Sequence, residues 1–334
     1  MTPAGNSEAI GVDLGGTKML VGVLAPTGEV VHRRVVSSSG MNAEQVMGAL
    51  DLELSGALEA RPGVAAIGLG VPCTLDREDG RCINAVQLQM QDVPIRAEVH
   101  ERFGLPVSVD NDANTAVLAE HRRGAAMGAT NVVMLTIGTG IGGGLIIDGQ
   151  LYRGTTGAAA ELGHVVVDIN GPPCQGSCPN HGCIESIASG TALGLEAIAA
   201  AEQNEDSALG QAARQGQIVD GRLVTELAHG GDPVSIEVVA LVGKRLGAAL
   251  SGLANIFDPD VILLGGGVMA AGELLLGPAR EEFRSRALPP QNTIPIRAAA
   301  LGAEAGMIGS AVLALEEIGE VSELPTRTFA RDHR

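Results

Sequence analysis

Two stretches of this 334-residue chain share one pattern: "AIGVDLGGTKMLVGVL" from Ala9 and "NVVMLTIGTGIGGGLII" from Asn131. In each, an apolar run reaches a cluster of small residues, and a second apolar run follows. Each reads as strand, tight turn, strand. The turns are Gly15-Gly16-Thr17-Lys18 and Gly138-Thr139-Gly140. The pattern occurring twice predicts a duplicated α/β chain with a cleft between the copies.

Turns of this kind point successive backbone N–H groups at phosphate oxygens. Thr17 and Thr139 add hydroxyl donors and Lys18 adds charge. Asp13, at the end of its strand, offers a carboxylate that holds Mg²⁺ through water. One such hairpin would be an ordinary turn; two matching ones favour phosphate. There is no GxxxxGK[ST], which excludes a P-loop. Gly138, Gly140 and Gly143 fit GxGxxG, but the strand pattern "GLIIDG" follows where a dinucleotide-binding unit needs a helix.

Between and beyond the hairpins, strands and helices alternate, so the class is α/β. Residues 42–60 read as a helix with Asn42 as N-cap, 64–72 as a buried strand, and 234–257 as a long amphipathic helix. "PDVILLGGGV" is a strand ending in Gly265, Gly266 and Gly267, and 301–319 is a closing helix rich in small residues. The tail after about 320 is polar and expected to fray. Asp110-Asn111-Asp112-Ala113-Asn114 forms a polar corner between a strand and a helix. Capping needs one such residue; four point to a ligand site at the strand's C-terminal end.

Composition narrows the function. Aromatics are only 1%, so the core must be built from Ala, Val, Leu, Ile and closely packed Gly. Net charge is −17 and no basic cluster is longer than Arg33-Arg34 or Arg122-Arg123, which argues against nucleic acid. No apolar run spans a bilayer, and "MTPAGNSEA" lacks the apolar core of a signal peptide. A cytoplasmic protein is expected, whose cysteines are reduced or metal-bound.

Taken together, "DLGGTK" (13–18), "VDNDAN" (109–114), "TIGTGIGGG" (136–144), "ELGH" (161–164), "GCIE" (182–185) and "LLGGGV" (263–268) resemble the ROK family of sugar kinases, and within it the bacterial glucokinases. The motifs run in family order over nearly the whole chain. The resemblance implies the actin-like ATPase (hexokinase-type) fold, with two similar α/β domains around an interdomain cleft. Residues 1–120, completed by helix 301–319, would form the first domain, and 121–300 the larger second. It implies transfer of the ATP γ-phosphoryl group, with Mg²⁺, to the 6-hydroxyl of a hexose, glucose first, by a homodimer or homotetramer. Some ROK members are repressors with a preceding DNA-binding domain. Only a few residues precede "IGVDLGGTK", so an enzyme is expected.

The family's residue roles carry over position by position. Asp112 matches the catalytic aspartate, and Asn111, Glu161, His164 and Glu185 match residues that bind sugar hydroxyls. Asp13, Gly15, Gly16, Thr17, Lys18, Gly138, Thr139 and Gly140 would meet Mg-ATP phosphates, and Gly265 to Gly267 the adenosine. His164, Cys174, Cys178 and Cys183 suit a structural Cys₃His zinc site. The family's spacing is C-x-C-x₄-C; here two extra residues separate the first two cysteines, and His181 is an alternative ligand to Cys174. A disulfide or unconnected thiols are the other readings. Cys73 and Cys82 read as small buried residues.

Three departures from the family pattern matter, and the first two bear on substrate. "GVPC" replaces the common "GVPG" and places Cys73 near the sugar, Gln87 stands about where an Asn is usual, and Ala160 replaces the Gly before Glu161. Mannose, fructose, allose, N-acetylglucosamine and N-acetylmannosamine therefore stay open beside glucose. Polyphosphate as donor stays open as well, although no basic track suits it. The competing classes are a non-catalytic sugar-sensing regulator and another ATPase of the same fold.

Overall fold

The glycine-rich turns do join strands. In the computed structural model, which describes residues 7–85 and 88–320, β1 (Glu8–Leu14) and β2 (Lys18–Leu24) pair antiparallel with Leu14 opposite Met19. Their apolar runs are buried on both faces, as strands covered by helices on both sides must be. Then follow β3 (Val30–Ser37), α1 (Ala43–Ala60), β4 (Val64–Val71), β5 (Thr74–Asp76), β6 (Arg81–Ala85), β7 (Met90–Val93), α2 (Ile95–Phe103), β8 (Val107–Asn111) and α3 (Asp112–Arg123). Next come β9 (Val132–Ile137), β10 (Ile141–Ile147), β11 (Gln150–Leu151), α4 (Ile184–Ala188), α5 (Gly190–Gln203), α6 (Ala208–Arg214), α7 (Gly221–His229) and α8 (Pro233–Phe257). The chain ends with β12 (Val261–Gly265), α9 (Glu273–Arg286), β13 (Ile296–Ala298) and α10 (Ala305–Glu317). A strand, not a helix, follows Gly143, which removes the dinucleotide-binding alternative. No helix among the described residues is long and apolar enough to cross a membrane.

The two large sheets have the same order. One runs β3-β2-β1-β4-β8 and the other β11-β10-β9-β12-β13. In the first, β1, β4 and β8 are parallel; in the second, β9, β12 and β13 are parallel. Each is a hairpin-led sheet continued by parallel strands, which is the duplication that the twin motifs predict.

By internal contacts the chain forms two units: Met1–Thr130, Gly144–Ala160 and Ala300–Phe329 in the first, and Asn131–Gly143 with Glu161–Ala299 in the second. Unit 1 is closed by α10, which starts at Ala305 rather than 301 because Gly302–Glu304 form a single 3₁₀ turn. Its small residues meet small residues of the sheet. A Cβ on Gly68 would overlap the Ser310 carbonyl, one on Gly11 the Met307 carbonyl, and one on Gly309 the Thr115 carbonyl. Ser310 Oγ donates to the Val12 carbonyl at 2.9 Å. Backbone thus packs on backbone where other proteins use aromatic side chains. Unit 2 is built largely from α8, capped by Asp232 with Pro233 in its first turn, packed against α9. Gly243 and Gly247 of α8 face the Leu275 and Ala279 carbonyls at distances that exclude a Cβ.

Local signals set the helix starts. Asn42 and Gln45 form a capping box, with Gln45 N–H donating to Asn42 Oδ1 at 3.0 Å and Asn42 N–H to Gln45 Oε1 at 3.1 Å. Asn111 caps α3, its Oδ1 accepting from Ala113 N–H at 2.9 Å. Gln87 and the tail beyond 320 lie outside the described residues.

Candidate functional site

Unit 1 gathers acidic residues at the ends of two parallel strands, β1 and β8, that flank β4. Asp13 is next to last in β1, and Asn111 and Asp112 join β8 to α3. The polar corner divides its work. Asp110 and Asn114 turn inward, 5% and 2% exposed, and Asn111 and Asp112 stay half-buried. Asp110 Oδ1 accepts from Asn111 N–H and Asn114 Nδ2, both at 2.8 Å, and its Oδ2 accepts from Arg153 Nε. That network holds the backbone on which Asn111 and Asp112 are mounted. Asp112 Oδ1 accepts from Ala113 N–H at 2.8 Å, and its carbonyl from Thr115 Oγ1 at 2.8 Å.

Asp13 feels this neighbour. Burial, and then the Asp112 charge, push its carboxyl up to about 6, while Lys18 pulls it down. Gly306 of α10 comes so close that a Cβ there would lie 2.7 Å from the Asp13 carboxyl carbon. Two neighbouring carboxylates beside a lysine, one of them raised by burial and by its neighbour's charge, can divide the tasks of holding a cation and accepting a proton. The adjacent turn is tied down by Ser38, whose Oγ donates to the Gly15 carbonyl at 2.5 Å and whose N–H donates to the Thr17 carbonyl at 3.1 Å. Gly15 and Gly16 are half-buried, and Thr17 and Lys18 are exposed. Cys73 is buried beside Cys82; their hydrogen bond, burial and the Asp112 charge push the Cys73 thiol up.

Unit 2 brings three glycine stretches together. Gly138 N–H donates to the Gly140 carbonyl at 2.9 Å, closing the turn before β10. Gly190 N–H, at the start of α5, donates to the Gly138 carbonyl at 2.8 Å, and Thr191 Oγ1 to the Thr139 carbonyl at 2.9 Å. Gly265 pairs with Thr136 across β12 and β9. Gly266 follows at φ +89°, where a Cβ would overlap Ile137, so only glycine fits against the turn.

The opposite side of Ile141 carries the remaining residues. Its N–H donates to Glu185 Oε2 at 2.7 Å. Gly163, between Glu161 and His164, sits where a Cβ would overlap the Ile141 carbonyl. Glu185 is buried, with Oε1 3.7 Å from Cys174 Sγ, whereas Glu161 is exposed. His164 faces both ways: Nδ1 is 3.4 Å from Cys174 Sγ, and Nε2 is 4.0 Å from Glu161 Oε2.

His164, Cys174, Cys178 and Cys183 bring their ligand atoms within 4.8 Å of one another. The Cys178 and Cys183 sulfurs are 3.9 Å apart, and both thiols are free. Zinc–sulfur bonds of about 2.3 Å give a tetrahedral edge of about 3.8 Å, so the set fits a zinc ion. Cys174 belongs to this group; exposed His181 instead pairs by backbone with Pro173. The Asn180 N–H holds the Cys178 thiol down, and burial pushes Cys174 and Cys183 up.

Several residues that hold these groups carry no local signal. Arg153 is 43 positions from Asp110, and Gln175 is 36 from Thr139, whose carbonyl its Nε2 approaches to 3.4 Å. Ser189 and Thr191 leave a faint trace as a Ser-Gly-Thr helix start.

Comparison with known proteins places this geometry. The model of the ROK family matches residues 9–317. A glucokinase of Halalkalibacterium halodurans is 34% identical over 315 residues, covering 92% of this chain and 95% of that one. The crystal structure of a ROK family glucokinase from Streptomyces griseus, in complex with glucose and AMPPNP, is 36% identical with a TM-score of 0.82, covering 93% of this chain and all of that one. The ROK hexokinase of Thermus thermophilus is 35% identical with a TM-score of 0.75, covering 94% and 99%. The fold is the actin-like ATPase fold of these sugar kinases.

Proposed function

The chain belongs to the ROK family, and on that premise we propose that it is an ATP-dependent hexose kinase that phosphorylates the 6-hydroxyl of glucose. The observation that carries the reading is the carboxylate pair of unit 1, in which Asp112 helps to raise the Asp13 carboxyl to about 6. Similarity to a glucokinase that binds glucose and AMPPNP supports a sugar and ATP as its ligands.

Phosphoryl transfer depends on positioning and charge neutralisation rather than on covalent help. Asp112 accepts the proton of the attacking hydroxyl, its carboxylate set by the Ala113 N–H. Asn111 uses its carbonyl oxygen to cap α3, so its amide NH₂ is offered to sugar hydroxyls. Glu161, His164 and Glu185 bind other hydroxyls; the Glu185 carboxylate is oriented by Ile141 N–H at Oε2 and by Cys174 Sγ at Oε1. The Gly15–Lys18 and Gly138–Gly140 turns cradle the phosphates, and Gly265–Gly267 allow the adenosine to approach. Asp13 would hold Mg²⁺, which would supply positive charge to the phosphate oxygens. His164, Cys174, Cys178 and Cys183 would hold a zinc ion that orders the loop in a structural rather than a catalytic role. The protein acts in the cytoplasm as a homodimer or homotetramer.

The test is ADP release with Mg-ATP across glucose, mannose, fructose, allose and the N-acetylhexosamines. The panel settles the sugar, which Cys73 and Gln87 leave open; no turnover on any sugar by folded, zinc-loaded protein rejects the kinase. Asp112→Asn is expected to lower turnover by at least about 100-fold while sparing glucose binding. Near-normal turnover would remove Asp112 as the base.

A further inference from the structure

The two residues that lengthen the first cysteine spacing lie within Gln175-Gly176-Ser177, between Cys174 and Cys178. Gln175 makes use of that extra length. Its Nε2 lies 2.9 Å from Ser189 Oγ and 3.4 Å from the Thr139 carbonyl. A carbonyl only accepts, so the amide nitrogen must face it. Thr139 is the middle residue of the unit 2 turn, and its carbonyl is also held by Thr191 Oγ1. Ser189 caps α5, whose next residue, Gly190, grips the Gly138 carbonyl. Gln175 therefore joins the Cys₃His loop to both anchors of the turn, at the residue directly after a metal ligand.

We propose that Gln175 is a positioning residue for nucleotide: it locks the Gly138–Gly140 turn to the metal loop, so that loop order sets affinity for the ATP phosphates. This rests on the kinase reading, in which that turn cradles phosphate. With its carbonyls directed at Gln175, Thr191 and Gly190, the turn keeps one peptide orientation. Released from Gln175, the Thr139 peptide regains freedom that nucleotide binding must remove again. The sugar-side residues Glu161 and His164 share no hydrogen bond with Gln175 among those described, so sugar affinity is a separate readout.

The experiment measures dissociation constants of Mg-AMPPNP and of glucose by calorimetry, with steady-state KM and kcat alongside, for wild type, Gln175→Ala and Gln175→Glu. Zinc content and melting temperature are checked for each variant. Gln175→Ala is expected to weaken nucleotide binding and raise the ATP KM about three- to tenfold, the worth of one net hydrogen bond, with glucose affinity and saturated kcat within about twofold. Gln175→Glu keeps the shape but sets a carboxylate against a carbonyl and near the phosphates, and is expected to weaken nucleotide more than Gln175→Ala. Chelated wild type should show the same nucleotide weakening in direct binding. Nucleotide affinity unchanged in Gln175→Glu, or a matching loss for glucose, overturns the proposal alone. Wild type that binds no nucleotide overturns it together with the kinase reading.

Discussion

Replacing Asp13 by Asn should make the protein more stable and inactive at once. Folding holds the Asp13 carboxyl at about 6 against an ordinary 3.8, chiefly by burial and then by the Asp112 charge. The folded form therefore keeps its proton where the unfolded form has released it. The stability that Asp13 contributes is full below 3.8 and is lost as pH rises through 6, so at pH 8 the ionised carboxylate is a net penalty. The gap corresponds to about 3 kcal/mol, reduced to about 2 kcal/mol because the residue is half-buried and partly screened. Urea unfolding without divalent cations should show Asp13→Asn about 2 kcal/mol above wild type at pH 8, with no gain at pH 4. Mg²⁺ should stabilise wild type and not the variant. Asp112→Asn, by removing the neighbouring charge, should shift the wild-type stability profile to lower pH. Equal stability of Asp13→Asn and wild type at pH 8, or the same difference at both pH values, would refute the reasoning.

Gly309→Ala should cost at least about 3 kcal/mol in urea, because the new methyl meets the Thr115 backbone and no flexible side chain can yield; a loss below 1 kcal/mol would contradict this packing. Ala160 sits at φ +67°, a left-handed conformation that glycine adopts without strain, so Ala160→Gly should gain about 0.5–1 kcal/mol by thermal unfolding. Metal analysis should find one zinc per chain, lost in Cys183→Ser. Calorimetry with glucose should then show weakened binding, since His164 is the shared residue between the thiols and Glu161; unchanged affinity would detach the loop from the sugar.

What was legible in the sequence is what the chain writes locally. The hairpins announce themselves because strand, turn and strand are consecutive, and Asn42 marks its helix start locally. The histidine and cysteines are readable because one loop supplies them all. Arg153 could not be read, since its partner Asp110 is 43 positions away and nothing in "LYRG" points to it. The left-handed backbone of Ala160 is hinted at only by the Gly that the family carries there, since its neighbours Ala158 and Ala159 look the same in sequence. The start of α10 was placed four residues early because Gly302 to Glu304 continue the small-residue pattern while folding as a tighter turn.

The closing helix has a consequence for how the chain is made. Unit 1 begins at the N-terminus but needs α10, whose backbone fills the ridge of Gly11 and Gly68 on β1 and β4. A ribosome that has finished α3 must still add all of residues 131–299 before that helix exists. At common elongation rates this takes roughly ten to forty seconds. Throughout that interval the α10 face of the first sheet, with Gly11, Gly22 and Gly68, has no permanent cover, while Val12 and Leu69 on the opposite face pack with α1. The unit that starts first is therefore completed last, and the nascent protein should depend on chaperones most while its second half is being synthesised.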